Sequence, residues 1–555
     1  MVDGRNVYTP TFGGVFWDTL DLPLENIERI EVIRGPGATV WGENAVNGVV
    51  NIIRKTAAET KGSLVVGGVG NSTQEFGTVE YGTSLGKRTY YRIYSKYFNQ
   101  DDMKGVTSQD GGDGWHLLRA GFRSDTKLSD KDSLTLQGDL YTGREGDPIS
   151  PLPTSALSPA SGELFVNLAG GFVQGIWNHE SSARSSNTLM VSLDQYERSD
   201  LLGDKRDTFN IDFHRNQSWG ERQQIVWGVA YRRTAERSEG SVNLSLNPPN
   251  QTTNVFSGFF QDEIAIIRDG LYLTLGTKVE NNTYTGFAAL PSARGLYEFS
   301  ERHMVWAAVS RALRTPAETD VSLRLNVASF TAADGTPVLV SIFGSPRIKD
   351  EGLTAYEAGY RAAIGRHLSV DLAAYYNEYD HQITTEPATP FFESTPLPAH
   401  LVLPSVMANL SDGETHGAEV AAKWNVTTKW TLTPSYDFER IHMHRRAPSQ
   451  DTENGPDTEG SDPRQHARLR SHLEFPRGVS WDTSVSFTDR LLAQGVPSYT
   501  RLDTGLTWRW KEGVSLSAFG QALLRAQHLE FVDEAGATNA TLIRRSWYAK
   551  LSWRF

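Results

Sequence analysis

His442 and His444 stand two positions apart, so on an extended strand both rings leave from one face, a spacing that permits joint metal binding. No third ligand is in view. The acidic run 451–462 lacks the ordered Asp/Asn ladder of an EF-hand and reads better as a solvated loop than as a Ca²⁺ site. Neither a metal nor a cofactor is expected. Arg311, Arg314, Arg324 and Arg347 lie in or beside the long polar stretch 312–351, and Arg445 with Arg446 opens another. Planar guanidinium forks there would suit an anionic ligand, although exposed arginines can equally be solvated. Tyr8, Phe12, Phe16 and Trp17 crowd one short stretch, where they could stack on a flat ligand or pack the segment itself. Ser, His and Asp are plentiful, but no nucleophile has a base and an orienting group arranged beside it, so an enzyme is not expected. A Gly-x4-Gly-Lys-Ser/Thr phosphate loop is absent from the sequence.

The elements that would position these residues are strands. Trp481, Thr483, Val485 and Phe487 alternate with Ser480, Asp482, Ser484 and Ser486; Leu502, Thr504, Leu506, Trp508 and Trp510 alternate with Arg501, Asp503, Gly505, Thr507 and Arg509. This period of two gives each strand one apolar and one polar face. The chain has 555 residues, 39% of them hydrophobic, and a mean hydropathy of -0.41. No apolar run reaches the ~18–20 residues of a spanning helix. A transmembrane strand needs only about 10 residues, every second one apolar, so averaged hydropathy does not exclude a membrane barrel. Fifty Gly with 14 Trp, 20 Tyr and 24 Phe suit turns and interfacial aromatic belts. There are no cysteines, and the formal charge of -12 argues against a nucleic-acid binder.

Alternation alone does not say whether the apolar face meets a protein core or lipid. Connection lengths do more. Short turns near 86–88, 129–132, 268–270, 301–302, 365–367, 427–429 and 510–513 alternate with long polar segments, among them 99–114, 144–164, 236–250, 383–404, 443–462 and 524–541. Tight turns at one end and long loops at the other describe an up-and-down barrel of about 22 strands from residue 60 onward. A propeller would show a repeat of 40–50 residues, which is absent. Trp547, Ala549, Leu551, Trp553 and Phe555 make one face of the last strand, as a strand recruited to close a barrel requires. The competing soluble reading is two stacked sheets around a dry core.

Residues 1–56 read differently. Ile27–Arg34 is a strand charged on both faces, turned by Gly35-Pro36-Gly37 and followed by a Gly- and Asn-rich stretch and an apolar strand at 49–55. The run IERIEVIRGPGATVWGENAVNGVVNIIRK resembles the second half of the plug domain of TonB-dependent outer-membrane receptors, and VDGRNVYTPTFGGVFWD the plug segment before it. AVSRALRTPAETD, LTAYEAGYR, GETHGAEVAAKW, SDPRQHARLR and the final strand resemble the family's barrel, so the likeness covers essentially the whole chain.

The resemblance implies an all-β protein: a 22-stranded antiparallel transmembrane barrel (58–555) enclosing the C-terminal part of a plug (1–57). It implies residence in the outer membrane and import of a scarce small ligand, a ferric siderophore first and cobalamin or another chelate second, coupled to TonB. The family's signal peptide, TonB-contacting box and first plug half are not found before Asp3-Gly4, which is read as the start of a fragment or a misplaced start. By the same resemblance, the plug apex near Tyr8, Phe12, Phe16 and Trp17 contacts ligand, with loop arginines such as Arg314 and Arg347. Strand register points Glu357 and Glu419 into the lumen, at positions where the family's plug arginines meet acids. Arg34 and Arg54 are therefore expected to pair with Glu357 and Glu419 as a reversible lock. A passive porin would have no use for residues 1–56, and a barrel enzyme of the lipase or protease kind would need the missing nucleophile.

Overall fold

The computed structural model describes every residue except 38–41, 43, 107–109, 148–163 and 534–538. Twenty-two strands hydrogen-bond in sequence order, each antiparallel to the next, and the sheet closes where Gly62–Gly70 pairs with Ser546–Arg554. Phe555 completes the seam: its N–H donates to the Ser63 carbonyl at 2.9 Å and its own carbonyl accepts from the Ser63 N–H at 2.7 Å. Closure leaves no strand edge with unpaired backbone groups, a condition for crossing hydrocarbon.

The two ends of the barrel differ as the turn chemistry requires. At one end the connections are tight, as at Gly86, Gly220, Gly365, Gly478 and Gly513, each at positive φ where a side chain would be strained. The tight turns include three that the sequence pattern did not mark, between Ser182 and Ser185, between Trp219 and Gln223, and at Pro476–Gly478. At the other end the loops are long and partly folded. A hairpin of Leu323–Thr331 and Pro337–Phe343 pairs in parallel with the start of His400–Asn425, and Phe391–Glu393 adds beside it. The polar loop expected over 383–404 is therefore largely strand. The acidic run 451–462 holds the short helix Asn454–Gly460, with Asp451 accepting from the Thr385, Glu453 and Asn454 N–H groups.

Burial shows which face is which. In Asp132–Asp147, Asp139 is 3% exposed and its neighbour Leu140 is 72% exposed. Arg92, Gln137 and Gln174 are fully buried, while Val79, Ile93, Phe122, Leu136 and Leu506 stand outward and exposed. Polar residues within and apolar residues without invert a soluble protein and match a barrel immersed in lipid. Trp219, Trp424, Trp430, Phe475, Trp508, Trp510, Trp553 and Phe555 are exposed near the short-turn end, forming an interfacial girdle.

Inside the barrel lies a two-stranded antiparallel sheet, β1 (Ile27–Arg34) and β2 (Gly48–Arg54), in register Ile30↔Ile52, Val32↔Val50 and Arg34↔Gly48. Val2 bridges Ile52 in parallel on the far edge of β2. The chain before β1 runs up the lumen as turns and two short 3-10 helices, Trp17–Leu20 and Leu24–Asn26.

Candidate functional site

The insert is held on one side by a buried ionic network. Arg54, on β2, donates to Asp3 at 2.6 Å and lies 3.8 Å from Asp139 of the wall; its side chain is 1% exposed. Burial alone would lower the Arg54 guanidinium, but Asp3, Tyr94 and Asp139 outweigh it and leave it raised. Asp139 also pairs with Arg119, which donates in turn to the Thr19 carbonyl, and accepts from the Tyr94 hydroxyl at 3.2 Å. Arg5 pairs with Asp194 and stacks over Phe172 at 3.9 Å. Lys96 pairs with Asp21, and the Ala57 N–H donates to Asp125 at 2.7 Å.

The other side of the insert is held differently. Arg34, at the end of β1, pairs with Glu419, and its side chain is 55% exposed. Gly35 follows at φ +70°, and a Cβ there would overlap the Glu357 carboxylate, so the turn lies directly on that acid. The structure thus brings Arg34, Glu357 and Glu419 together. The expected pairing of Arg54 with Glu357 or Glu419 does not occur. Antiparallel register sets Arg54 opposite Ile27, at the far end of the hairpin from Arg34, where Asp3 and Asp139 are its acids.

At the long-loop end the insert meets the rim. The loop Thr9–Gly14 touches the helix Glu318–Ser322: the Glu318 N–H donates to the Pro10 carbonyl at 2.8 Å and the Thr319 N–H to the Thr11 carbonyl at 2.9 Å. A Cβ on Gly13 (φ +72°) would come within 2.8 Å of the Tyr8 hydroxyl and 3.3 Å of the Arg314 guanidinium, which places those two side chains at the apex. Arg314 is engaged there by Asp320 at 2.9 Å and Glu351 at 2.7 Å. Arg347 is exposed in the same loop and has no ion pair among the described residues. Phe16 stacks on Tyr196 with centroids 5.0 Å apart, meets Phe12 edge-on at 4.9 Å, and lies under Arg198 at 4.7 Å. Phe12 is 42% and Trp17 64% exposed. Of the expected aromatics, Phe16 packs, whereas Phe12 and Trp17 present open faces.

Three carboxyl groups also converge at this rim. Asp204, Glu236 and Glu318 are 1%, 2% and 0% exposed, and the Thr11 hydroxyl donates to Glu236 at 2.7 Å. Burial, with Asp204 nearby, pushes the Glu318 carboxyl up to about 7. Sequence reading missed this cluster and the contacts of Phe16 with Tyr196 and Arg198. Each member follows ordinary alternation, and what is unusual is their convergence from distant strands. His442 lies 6.1 Å from the His416 ring on the barrel's outer face, and no group of three metal-ligating side chains occurs among the described residues. Between insert and wall is a small cavity of about 70 Å³, lined in part by Arg5, Tyr8, Phe16, Tyr141, Tyr196 and Arg206.

A closed barrel, lipid-facing apolar side chains and an ion-paired insert in the lumen coincide with what family comparison finds. The family model "TonB dependent receptor-like, beta-barrel" matches residues 61–522, and "TonB-dependent Receptor Plug Domain" matches residues 1–49. The chain belongs to the TonB-dependent receptor family. It is a protein of the outer membrane, its tight turns on the periplasmic side and its long loops outside. It is 23% identical over 532 residues to the iron-regulated outer membrane virulence protein of Vibrio cholerae, covering 89% of this chain and 75% of that one. To the vitamin B12 transporter BtuB of Vibrio vulnificus it is 22% identical over 538 residues, covering 88% and 77%. Among solved structures, the siderophore receptor PirA of Acinetobacter baumannii superposes with a TM-score of 0.78 at 14% identity, covering 100% of this chain and 90% of that one. The ferric enterobactin receptor PfeA of Pseudomonas aeruginosa, as an enterobactin complex, gives 0.77 at 17%, covering 100% and 91%. These two likenesses show the fold.

Proposed function

We propose that the protein is the outer-membrane importer of an anionic ferric siderophore, driven through TonB, with residues 1–57 as the C-terminal part of the plug and 58–555 as barrel. The observation that carries this reading is the plug itself. An occupant held in a closed lumen by ion pairs, its apex hydrogen-bonded to an outer loop, obstructs diffusion and can report on what binds above it. A passive channel has no need of such an obstruction.

Ligand would be received at the apex, between plug and loops. Phe12 and Trp17 offer exposed faces to flat chelating rings, and Arg347 offers a guanidinium not taken up by a carboxylate. Arg314 has a different role. With Asp320 and Glu351 on its fork, it fixes the loop against the apex and has little charge left for ligand. Movement of the loop would pass to the plug through the Pro10 and Thr11 carbonyls and the Asn44 side chain, which accept from its Glu318, Thr319 and Thr315 N–H groups. Arg34 and Glu419, with Glu357 beneath Gly35, form the contact that yields when TonB pulls. A half-exposed pair exchanges its partner for water at small cost. Arg54, Asp3 and Asp139 form the part that holds.

Two relatives carry names tied to iron regulation and vitamin B12, and the iron reading is favoured by the exposed Arg347 guanidinium, which suits an anion. The test is uptake by a receptor-deleted strain expressing this protein. Radioiron from ferric tris-catecholate chelates should enter only when TonB is present. Uptake of cyanocobalamin with no iron uptake would replace the ligand, and equal entry without TonB would restore the passive channel.

A further inference from the structure

Charge is spread unevenly round the periplasmic rim. From Glu301–Arg302 to Glu512–Gly513, five successive tight turns present Arg302, Arg366, Lys429, Arg477 and Lys511, with Glu301 and Glu512 as the acids of those turns. The five basic side chains are exposed, and none has an ion pair among the described residues. Glu474, close to Arg477 in sequence, faces the lumen instead, 3.8 Å from His472. Beyond the closing seam Lys87 and Arg88 continue the run, Arg88 donating to the Leu128 carbonyl at 3.4 Å. The opposite arc, from Ser129 round to Gly270, is balanced. There Asp130 lies 3.4 Å from Lys127, Glu221 pairs with Arg268, and Arg184 donates to the Gly220 carbonyl at 3.3 Å.

Cations on exposed turns can simply be solvated, but their neighbours argue for a partner. Trp424 and Trp430 flank Lys429, Phe475 and Trp481 flank Arg477, and Trp508 and Trp510 lead into Lys511; all six rings are exposed. Strand alternation turns them outward. On the opposite arc Trp219 is the one exposed tryptophan among the described residues. The Lys511 ammonium stands 5.8 Å from the Trp510 ring centre, and the Trp508 and Trp510 rings are 6.1 Å apart. Indole rings settle at the headgroup level of a bilayer, which fixes the depth of the cations beside them. At that level Lys and Arg reach lipid phosphate.

The charge also selects among headgroups. An ethanolamine headgroup brings its own ammonium, which a run of cations repels, whereas a glycerol headgroup brings only the phosphate charge. Neighbouring turns are two strands, about 10 Å, apart, so successive cations take separate phosphates and the arc holds several lipids side by side.

From the coincidence of unpaired turn cations with outward indoles, we infer that the arc around Lys429, Arg477 and Lys511 binds anionic glycerophospholipid of the periplasmic leaflet. This surface seats the barrel and is independent of what the barrel imports. The strand His400–Asn425, which carries Glu419, ends at the same arc, so lipid held there braces the wall from which Arg34 must part. Each cation should favour the anionic headgroup on the order of five-fold, and less as salt rises.

Native mass spectrometry of the protein in micelles doped with equimolar phosphatidylglycerol and phosphatidylethanolamine tests it. Phosphatidylglycerol adducts should predominate on the parent and fall to parity in K429Q/R477N/K511Q; asparagine suits position 477, where φ is +65°. The variant R184Q/R222Q/R268Q makes the same change of charge on the opposite arc and should keep the preference. Heat-modified migration on gels confirms that each barrel is closed. A parent with no preference, a preference that survives the first variant, or an equal loss in both variants overturns the site. Retention on peptidoglycan sacculi that the first variant abolishes, with no lipid preference, would overturn it too and assign the arc to the cell wall.

Discussion

Arg34 and Arg54 leave opposite ends of one hairpin, and burial predicts that they contribute very differently to stability. Arg54 and its acids are almost wholly enclosed: the side chains of Arg54, Asp3 and Asp139 are 1%, 6% and 0% exposed. Arg54→Met would leave buried Asp3 with only the residue-54 N–H and the more distant Arg123, 3.9 Å away, and breaking a buried pair costs about 3–5 kcal/mol. Arg34 is 55% exposed and Glu419 22%, so Arg34→Met removes a contact worth about 0–1 kcal/mol. The assay is pulse proteolysis of residues 1–56 in detergent across a urea series. At the ~1–3 kcal/mol per M typical of small proteins, Arg54→Met should lower the urea midpoint for plug release by about 1 M or more. Arg34→Met should leave that midpoint nearly unchanged. Equal shifts in the two variants, or none in Arg54→Met, would refute the division into a holding side and a yielding side.

Glu318 gives a pH test. Burial and Asp204 raise its carboxyl from 4.5 to about 7, so the group stabilises the rim below its unfolded value and that stability is lost as pH rises through 7. The full change is on the order of 3 kcal/mol. Glu318→Gln should therefore flatten the fall in melting temperature between pH 5 and 8, and a variant as pH-sensitive as the parent would contradict it. Gly35→Ala places a Cβ on the Glu357 carboxylate at φ +70°, and should reduce iron uptake while leaving apex binding intact, as equilibrium binding on whole cells can show. Leu506→Arg sets a charge on the lipid face and should cost about 2–4 kcal/mol in a bilayer refolding titration, whereas its inward neighbour Thr507→Arg should cost far less.

Much of the barrel could be read from sequence because its rule is local. Alternation in 480–488 and 501–510 needs no knowledge of partners, and tight turns announce themselves through Gly. Glu357 and Glu419 could be placed in the lumen by parity alone. The partner of Arg54 could not, because Asp3 and Asp139 come from distant parts of the chain and only hairpin register shows which end faces which wall. The Asp204–Glu236–Glu318 cluster escaped notice for the same reason: three ordinary acids become unusual only when two strands, a loop helix and Thr11 close around them. Long loops were read as polar and irregular, yet Leu323–Thr331 and Pro337–Phe343 carry enough β-branched and apolar residues to extend the sheet above the rim.

The central claim is that the plug must shift against the wall for cargo to pass. The protein has no cysteine, so Arg34→Cys with Glu419→Cys offers one addressable pair. Radioiron uptake from ferric tris-catecholate is then measured in cells before and after bridging the two thiols with a short bismaleimide. Uptake should fall to the TonB-deleted level in the bridged protein while surface binding persists, and each single-cysteine control should be unaffected. Undiminished uptake through fully bridged receptors would contradict the account.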